Sequence, residues 1–318
     1  MSNQNIQKNK KISVITGVYN ESATVQEVCS VIRNLFSGLK GYDYEHIFMD
    51  NCSTDNTVEI LKKIAAADKR VKVLVYSRNF GPVKTELVGY QHAGGDAVIP
   101  FEANLKDPPE LIKEFIRKWE EGYEVVYGVR VQTKDNFLLS LARKTFYKII
   151  NFFSEENFPL NAGSFRLVDR KVVDELIKID DYKPYIRGLI SAMGFKQIGI
   201  EYQRRSRPRG YSKSKFGYLI DFSINALINY SVSPIRLCTY IGLFLSLLSF
   251  ASGIIFLILK LFFWPAQLPA ISAVIILILF FSGIQLFFLG VIGEYVGAIH
   301  AQVRKKPFVI INERVNFD

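Results

Sequence analysis

The sequence lacks the short motifs by which many soluble enzymes bind nucleotides or activate a nucleophile. It contains no GxGxxG and no GxxxxGKS or GxxxxGKT, which disfavours a dinucleotide dehydrogenase and a P-loop nucleotidase. It contains no GxSxG, which disfavours a hydrolase with a nucleophile elbow. Its 3 cysteines and 3 histidines are widely spaced, without a CxxC or a ligand spacing. This distribution indicates a reducing compartment and no structural metal.

The N-terminus has few apolar residues. The opening segment MSNQNIQKNKK is polar and lysine-rich and no apolar h-region follows it, so we expect no secretory signal. The net charge is +10. Because the chain also carries long apolar stretches, this charge favours contact with anionic lipid over binding to nucleic acid.

Charged residues are missing from two long stretches near the C-terminus, residues 237–259 and 271–293, where Gln285 is the only strongly polar side chain. As helices rising 1.5 Å per residue, each would span roughly 34 Å, enough for a hydrocarbon core of about 30 Å. Arg236 precedes the first stretch and residues 304–306 are basic. The positive-inside rule therefore predicts a multi-pass protein of the inner membrane with both chain ends cytoplasmic. A pair of buried core helices is the alternative.

Before these stretches, β-branched runs alternate with segments of helical periodicity. Strands are predicted at 11–19, 44–49, 71–76, 97–101 and 125–129, and helices at 22–39, with Ser22 as a cap, 56–67, 82–92 and 108–121. This alternation predicts a mostly parallel sheet with helices on both faces. Ligands bind such sheets at the carboxyl ends of the strands. Polar clusters at 19–21, 50–51 and 102–107 fall at those ends, which predicts a site there.

Seven short motifs follow one another along the chain: SVITGVYNE at 13–21, DNCSTD at 50–55, SRNFG at 77–81, GDAV at 95–98, LKDPP at 105–109, SFRL then DR within 164–170, and RGYSK at 209–213. With the two apolar stretches, they resemble the family 2 glycosyltransferases. More narrowly, they are similar to the bacterial polyprenyl-phosphate glycosyltransferases related to dolichol-phosphate mannose synthase.

The resemblance implies an α/β protein with a GT-A, Rossmann-like sheet domain, interfacial helices and two transmembrane helices. We expect a cytoplasmic glycosyltransferase domain at 1–205, a juxtamembrane region at 206–235, a two-helix anchor at 236–296 and a cytoplasmic tail at 297–318. The implied reaction is the inverting transfer of one sugar from a nucleotide-sugar, with UDP favoured over GDP, to undecaprenyl phosphate or a similar lipid. A homo-oligomer is implied, with a tetramer favoured.

The resemblance also implies roles for individual residues. Nucleotide-sugar binding falls to Val18, Tyr19, Glu21, Asp50, Asn51, Arg78 and Asn79. Glu102 and Asn104 would hold Mg²⁺ or Mn²⁺, which acts as a Lewis acid on the leaving diphosphate. The reacting groups would lie against Glu102, Asn104, Ser164 and Arg166, and the lipid phosphate against Arg170, Arg209 and Lys213.

The sequence departs from the family pattern at three acidic positions and at one proline position. The family's D-x-D reads Glu102-Ala103-Asn104, the aspartate of D-F-R-L is Ser164, and a usual proline is Gly17. A lipid phosphate is already anionic and needs little general-base help, so fewer carboxylates near it would reduce repulsion. Asp107 is preserved, either as a further metal ligand or as a cap of the following helix.

Three further segments bear on the membrane. We expect Arg204, Arg205, Arg207 and Lys215 to contact lipid headgroups, in contrast to Arg209 and Lys213 in the site. Residues 216–230 and 137–153 have the pattern of interfacial helices, although core packing would also explain the second. The β-like run at 308–311 is expected to return to the soluble domain.

Two other functions are compatible with the pattern. A processive polysaccharide synthase is disfavoured because Q-x-x-R-W is absent and the spans are few. A non-catalytic membrane scaffold that binds a nucleotide-sugar is the alternative from another class.

Overall fold

The computed structural model describes residues 9–131, 162–182, 184–205, 270–304 and 308–317, with part of 235–258. The chain divides into two compact units. One comprises Met1–Ala142, Phe158–Lys213 and Lys305–Asp318, and the other comprises Arg143–Asn157 and Ser214–Arg304. The four-part division expected from the sequence stays a prediction. The two-unit division differs from it by grouping the C-terminal residues with the first unit.

The first unit is built on a sheet of eight described strands. They are β1 Lys10–Val18, β2 Tyr42–Asp50, β3 Val71–Tyr76, β4 Ala97–Pro100, β5 Val125–Arg130, β6 Ala162–Asp169, β7 Gln197–Tyr202 and β8 Ile311–Val315. Their order in the sheet is β7-β5-β6-β4-β1-β2-β3-β8. The pairs β1–β2, β1–β4, β2–β3 and β5–β7 are parallel, so the predicted mostly parallel sheet is confirmed.

The antiparallel strand β6 joins the two parallel groups. It pairs with β4 on one side and with β5 on the other. The carboxyl ends of β4, β5 and β7 therefore lie at the same edge as those of β1, β2 and β3, and β6 begins at that edge. This edge, hereafter the carboxyl edge, is where ligands bind in open α/β sheets.

Helices cover both faces of the sheet. They are α1 Val25–Ser37, α2 Thr57–Ala67, α3 Pro82–His92, α4 Leu111–Glu120, α5 Arg170–Leu176 and α6 Ile186–Ala192. Helices α1, α2 and α4 bury apolar residues in one core cluster, and α3, α5 and α6 do so in a second. In α1 the buried positions include Val25, Val28, Cys29 and Ile32, the i, i+3, i+4, i+7 spacing of one helix face.

The predicted elements from 11 to 130 are all present, and β3 and α3 have the predicted bounds. Ser22 is not a helix cap, because α1 begins at Val25 after Thr24 and no side chain caps it. Two strands, β6 and β7, are absent from the predictions. Their sequences, AGSFRLVD and QIGIEY, contain glycine and charged residues that weaken the β-strand pattern.

The C-terminal segment returns to the sheet, as predicted, although its strand lies slightly later than expected. Ile311–Val315 pairs antiparallel with β3, and the backbone N–H of Ser77 donates to the carbonyl of Ile310 at 3.1 Å. Its polar sequence, INERV, suits an edge strand with one face in water.

The second unit contains the long helix α7, Ala270–Val303. Within the part of the chain that the structure describes, one helix is long and apolar enough to cross a membrane, Phe280–Val303, with a mean hydropathy of 1.5. Helix α7 includes the whole predicted stretch 271–293. The predicted interfacial helices at 137–153 and 216–230 lie outside the described residues.

Candidate active site

Three loops at the carboxyl edge each contain a non-glycine residue in the left-handed region. Asn20 follows β1 with φ of 53°, Cys52 follows β2 with φ of 62°, and Leu105 lies beyond β4 with φ of 53°. Such a conformation is costly for a residue with a Cβ atom, especially for leucine. Strained backbone of this kind concentrates at functional sites, and here it marks the three predicted loops.

Side-chain hydrogen bonds join the first two loops. The backbone N–H of Asn20 donates to Oγ of Ser53 at 2.9 Å, and Oδ1 of Asn20 accepts from the N–H of Thr54 at 2.8 Å. The N–H of Glu21 donates to Oγ1 of Thr57 at 3.0 Å. Val18 ends β1 beside this junction and is buried, while Tyr19 is 37% exposed. The loop therefore presents Tyr19 outward on a fixed backbone.

Asp50 and Asn51 lie buried at the end of β2. The Asp50 carboxylate accepts hydrogen bonds from the hydroxyl and from the N–H of Ser53. Burial raises the pKa of Asp50, and the bonds from Ser53 and Cys52 oppose that rise. Asn51 donates to Oγ1 of Thr85 at 2.5 Å and accepts from the N–H of Phe80 at 3.1 Å. Asn51 thus ties the β2 loop to the segment after β3.

That segment carries Arg78 and Asn79. The Arg78 guanidinium lies over the ring of Phe80, 4.0 Å from its centroid. Oδ1 of Asn79 accepts from the N–H of Gly81 at 2.9 Å. Because this segment follows the carboxyl end of β3, which is parallel to β2, Arg78 and Asn79 lie at the same edge as Asp50.

The position at which the family pattern has proline, Gly17, faces Thr85. A Cβ atom at Gly17 would lie 3.0 Å from Cγ2 of Thr85. Thr85 is itself buried and held by Asn51 and by the carbonyl of Gly81, to which it donates at 2.8 Å. A side chain at position 17, such as that of the usual proline, would therefore crowd Thr85, which joins the loops after β2 and β3.

The acidic motif after β4 is internally hydrogen-bonded. Nδ2 of Asn104 donates to Oε2 of Glu102 at 2.6 Å. Oδ1 of Asn104 accepts from the N–H of Lys106 at 3.1 Å. The Asn104 side chain thus supports the loop. Its hydrogen bond to Glu102 replaces the repulsion that two adjacent carboxylates would create.

A cluster of three residues, Arg204, Asp107 and Tyr202, adjoins this motif. Nη2 of Arg204 lies 2.6 Å from Oε2 of Glu102, and its Nε lies 3.0 Å from Oδ1 of Asp107. The Tyr202 hydroxyl donates to the same Oδ1 at 2.6 Å. Burial lowers the pKa of Arg204, but the carboxylates of Glu102 and Asp107 outweigh it and the net shift is upward.

Two predictions from the sequence concern residues of this cluster, Arg204 and Asp107. Arg204 was expected on lipid headgroups, whereas the structure places it on the acidic motif. Asp107 bonds to Arg204 and Tyr202 and is not the cap of α4, which follows Glu110 without a side-chain cap. Arg205 does lie exposed, 3.0 Å from Glu110.

In this arrangement the Glu-Ala-Asn motif does not fit a divalent cation. Mg²⁺ and Mn²⁺ require several oxygen ligands, yet Oε2 of Glu102 already accepts from two nitrogen atoms. Among the described residues, no group of three or more His, Cys, Asp or Glu side chains could hold a metal. The predicted Mg²⁺ or Mn²⁺ at Glu102 and Asn104 would require the Arg204 contacts to break.

Ser164 and Arg166 lie near the start of β6, at the same edge. Arg166 is buried and donates to the carbonyl of Gly163 at 2.9 Å. Its Nε, together with Oε1 of Glu86 and the hydroxyl of Tyr90 on α3, is buried without a hydrogen-bond partner among the described residues. Burial lowers the pKa of Arg166 and raises that of Glu86. Glu86 is not among the residues predicted from the sequence, because no motif marks it, and its charge opposes the fall in the pKa of Arg166.

Arg170 does not lie at the carboxyl edge. It follows the end of β6, where Asp169 pairs with Ala97 at the start of β4. Its guanidinium donates to the carbonyls of Gly95 and Ala93 at 3.0 and 2.8 Å. The predicted contact between Arg170 and a lipid phosphate is therefore not supported by its position. Arg209 and Lys213 lie outside the described residues, and their roles stay predictions.

The mostly parallel sheet, with its strand-end loops on one edge, agrees with the GT-A-like α/β fold that the motifs imply. Residues 13–177 match the family model described as glycosyl transferase family 2, and residues 233–299 match the GtrB C-terminal hairpin. The first match covers more than half of the chain. The chain therefore belongs to glycosyl transferase family 2.

Relatives match over nearly the whole length. The chain is 37% identical over 302 residues to the uncharacterized glycosyltransferase YkcC of Bacillus subtilis, covering 95% of this chain and 93% of the relative. It is 34% identical over 304 residues to the bactoprenol glucosyl transferase of Shigella phage SfII, covering 95% and 98%. Glucosyl-3-phosphoglycerate synthase from Mycobacterium tuberculosis, crystallised with Mn²⁺ and UDP, matches with a TM-score of 0.46 at 19% identity over 69% of this chain and 78% of that one.

Proposed function

We propose that the chain transfers one sugar from a nucleotide-sugar to a polyprenyl phosphate at the cytoplasmic face of the membrane. The product is a lipid-linked sugar for modification of cell-envelope glycans. The main support for this proposal is the position of the motif residues. They share the carboxyl edge, where they follow β1, β2, β3 and β4 and lie at the start of β6. The acceptor class is supported by the relative named bactoprenol glucosyl transferase, which is similar over 95% of the chain.

The donor is a UDP-sugar in this proposal. Tyr19 offers an exposed ring beside the buried end of β1, where a base can stack. Asp50, Asn51 and Glu21 supply acceptors for base and ribose groups, and Arg78 supplies a cation. Carboxylate acceptors suit the ring N–H and the ribose hydroxyls of the nucleotide.

The chemistry is a single displacement. A phosphate oxygen of the lipid attacks the anomeric carbon, the bond from that carbon to the β-phosphate oxygen breaks, and the nucleoside diphosphate leaves with the electron pair. The anomeric configuration inverts. The fixed charges at this edge offset the negative charge that grows on the leaving diphosphate. The divalent metal expected in this role, Mg²⁺ or Mn²⁺, would require the Arg204 contacts to Glu102 to break. The tetramer stays a prediction.

Chain connectivity supports two membrane crossings. Strand β8 lies in the same sheet as β1, and the helix Phe280–Val303 comes between them in sequence. If that helix crosses the bilayer, the chain must cross a second time to reach the same side. The stretch 237–259 is suited to this crossing, because its described positions are helical and expose apolar side chains that include Leu243, Phe244 and Leu247.

The test is transfer by the purified full chain in detergent. Radiolabelled UDP-sugars and GDP-sugars are each incubated with undecaprenyl phosphate, with undecaprenol as the control lipid that lacks the phosphate. We expect label in the lipid fraction from a UDP-sugar, and only with the phosphorylated lipid. Binding of a nucleotide-sugar without transfer from any donor, with or without divalent metal, would instead identify the non-catalytic alternative.

A further inference from the structure

Arg204 carries the positive charge at the motif where the family resemblance implies a divalent metal. Its Nη2 lies 2.6 Å from Oε2 of Glu102 and its Nε lies 3.0 Å from Oδ1 of Asp107. A guanidinium is not deprotonated in proteins. The cluster therefore holds a permanent cation at the end of β4.

Asp107 fixes this guanidinium in place. Its Oδ2 also accepts from Nη2 of Arg204 at 3.4 Å, so the pair is joined at two points. Asp107 is only 2% exposed. Because an isolated buried carboxylate is strongly unfavourable, a metal held by Glu102 and Asn104 that displaced Arg204 would leave Asp107 with the Tyr202 hydroxyl as its remaining partner in the cluster. That penalty opposes the exchange of arginine for metal.

Arg204 offsets one of the two negative charges that Glu102 and Asp107 bring to this cluster. In the family pattern, two carboxylates face a cation of charge +2. Here Asn104 replaces one carboxylate and Glu102 faces a guanidinium of charge +1. Relative to the family pattern, the motif thus has one negative charge fewer, and the cation that faces it has one positive charge fewer.

Arg204 also retains donors for an incoming anion. Its contacts with Glu102 and Asp107 use Nε and Nη2, and no described residue accepts a hydrogen bond from the two N–H groups of Nη1. The Glu102 side chain is 39% exposed, so the pair opens to solvent. Guanidinium groups bind phosphate oxygens with good geometry and little desolvation.

We propose that Arg204, and not a divalent metal, is the cation that binds the donor diphosphate in this chain. This inference rests on the proposed function, because it names a partner for the same donor. Arg204 contacts the diphosphate and offsets the charge that it gains on leaving. The displacement itself needs no further reactant.

The direct test is calorimetric titration of UDP into the purified full chain, first in EDTA and then with Mg²⁺ or Mn²⁺. We expect UDP to bind in EDTA, with nearly the same Kd after metal is added. UDP binding that appears only with metal would overturn this inference and leave the proposed function standing. Absence of UDP binding under every condition would contradict both.

The variant removes the ion pair as a unit. Arg204→Gln combined with Asp107→Asn leaves no buried unpaired charge, and we expect the Kd for UDP in EDTA to rise about 10- to 100-fold, the value of a charge-assisted phosphate contact. Arg205→Gln, at the exposed neighbour, is the matched control and should not change the Kd. If the double variant does not fold, Arg204→Lys keeps the charge but not the two-point geometry and should also weaken UDP. Wild-type affinity in a folded Arg204 variant would contradict the proposal.

Discussion

Cys52 is held at a φ of 62° in the turn after β2. A residue with a Cβ atom loses roughly 1 kcal/mol in this conformation. We predict that Cys52→Gly raises the free energy of unfolding by about 1 kcal/mol, because glycine adopts positive φ without strain. The measurement is the thermal midpoint of the detergent-solubilised chain.

Cys52→Ala is the matched control, since it removes the sulfur and keeps the strained Cβ. It should leave the midpoint unchanged or lower it. Equal stabilisation by both substitutions would mean that the thiol, and not the backbone, is the source of the effect.

At the residue scale, the motifs predicted which side chains gather at the carboxyl edge but not all their partners. Asp50, Asn51 and Glu102 are found where strand ends were expected. Arg204 was assigned to the membrane because it lies in a run of arginines, and a run does not reveal which member meets a carboxylate. Arg170 was misplaced for a related reason, because the direction of β6 was unknown.

Strand β2 carries a buried carboxylate at the edge opposite the site. Glu45 is 1% exposed and lies 2.9 Å from both Lys11 and Lys72. It also accepts from Ser13 at 2.6 Å and from the N–H of Gly94 at 2.7 Å. Burial raises the pKa of Glu45, but these hydrogen bonds outweigh burial and lower the pKa to about 2.

Because the folded pKa lies below the ordinary value of 4.5, the stabilisation is complete above that pH and is lost as the pH falls towards 2. We predict that Glu45→Gln lowers the free energy of unfolding by about 3 kcal/mol at pH 7. The difference from wild type should shrink below pH 4.5. Urea unfolding across pH measures it.

Glu313→Gln serves as the control, since Glu313 pairs with Lys62 on the surface with both side chains over 40% exposed. Exposed pairs contribute little, so this variant should unfold like wild type at every pH. A Glu45→Gln difference that does not vary with pH would refute the assigned cause.

Strand β8 is fastened to the sheet by Asn316. Its Nδ2 donates to the carbonyls of Ala65 and Val71, both at 2.7 Å, and its own φ is 60°. Asn316→Ala removes both hydrogen bonds and leaves an alanine in a left-handed conformation that asparagine tolerates better. We predict a loss of about 2 to 3 kcal/mol from the attachment of this strand.

Hydrogen exchange of the β8 amides measures that attachment. Protection should fall in β8 and along β3, while β1 and β4 keep theirs. Unchanged exchange in β8 would show that Asn316 does not hold the strand.

At the element scale, the sequence predicted the parallel half of the sheet because the strands there are rich in β-branched, aliphatic and aromatic residues. It did not predict β6 and β7, whose glycines pack against side chains of neighbouring strands. A Cβ atom at Gly199 would lie 2.7 Å from Cγ2 of Val129. Only the assembled sheet reveals that these glycines are required by close packing.

In the proposed topology, both ends of the segment that contains the two crossings lie on one side of the membrane. We predict that a cysteine introduced by Gln267→Cys in a cysteine-free chain is labelled by an impermeant maleimide in intact cells. A cysteine introduced by Asn3→Cys should be labelled only after lysis. The reason is that residues 237–259 and helix Phe280–Val303 flank Gln267 as two crossings.

Labelling of Gln267→Cys only after lysis would contradict two crossings.

At this scale, the sequence predicted the protein class through the order of its motifs. The pairing of the C-terminal strand with β3 is hard to read from the sequence, because a five-residue polar strand is stable only once its neighbour exists.

The proposed reaction is the transfer of one sugar to a lipid phosphate. Its most direct measurement is the mass of the lipid recovered after the purified chain acts on undecaprenyl phosphate and the UDP-sugar that labels it. We predict one new species, heavier than the acceptor by a single sugar residue, with one UDP released for each product. A lipid or polymer carrying many sugars, or an acceptor of unchanged mass despite bound nucleotide-sugar, would contradict the account.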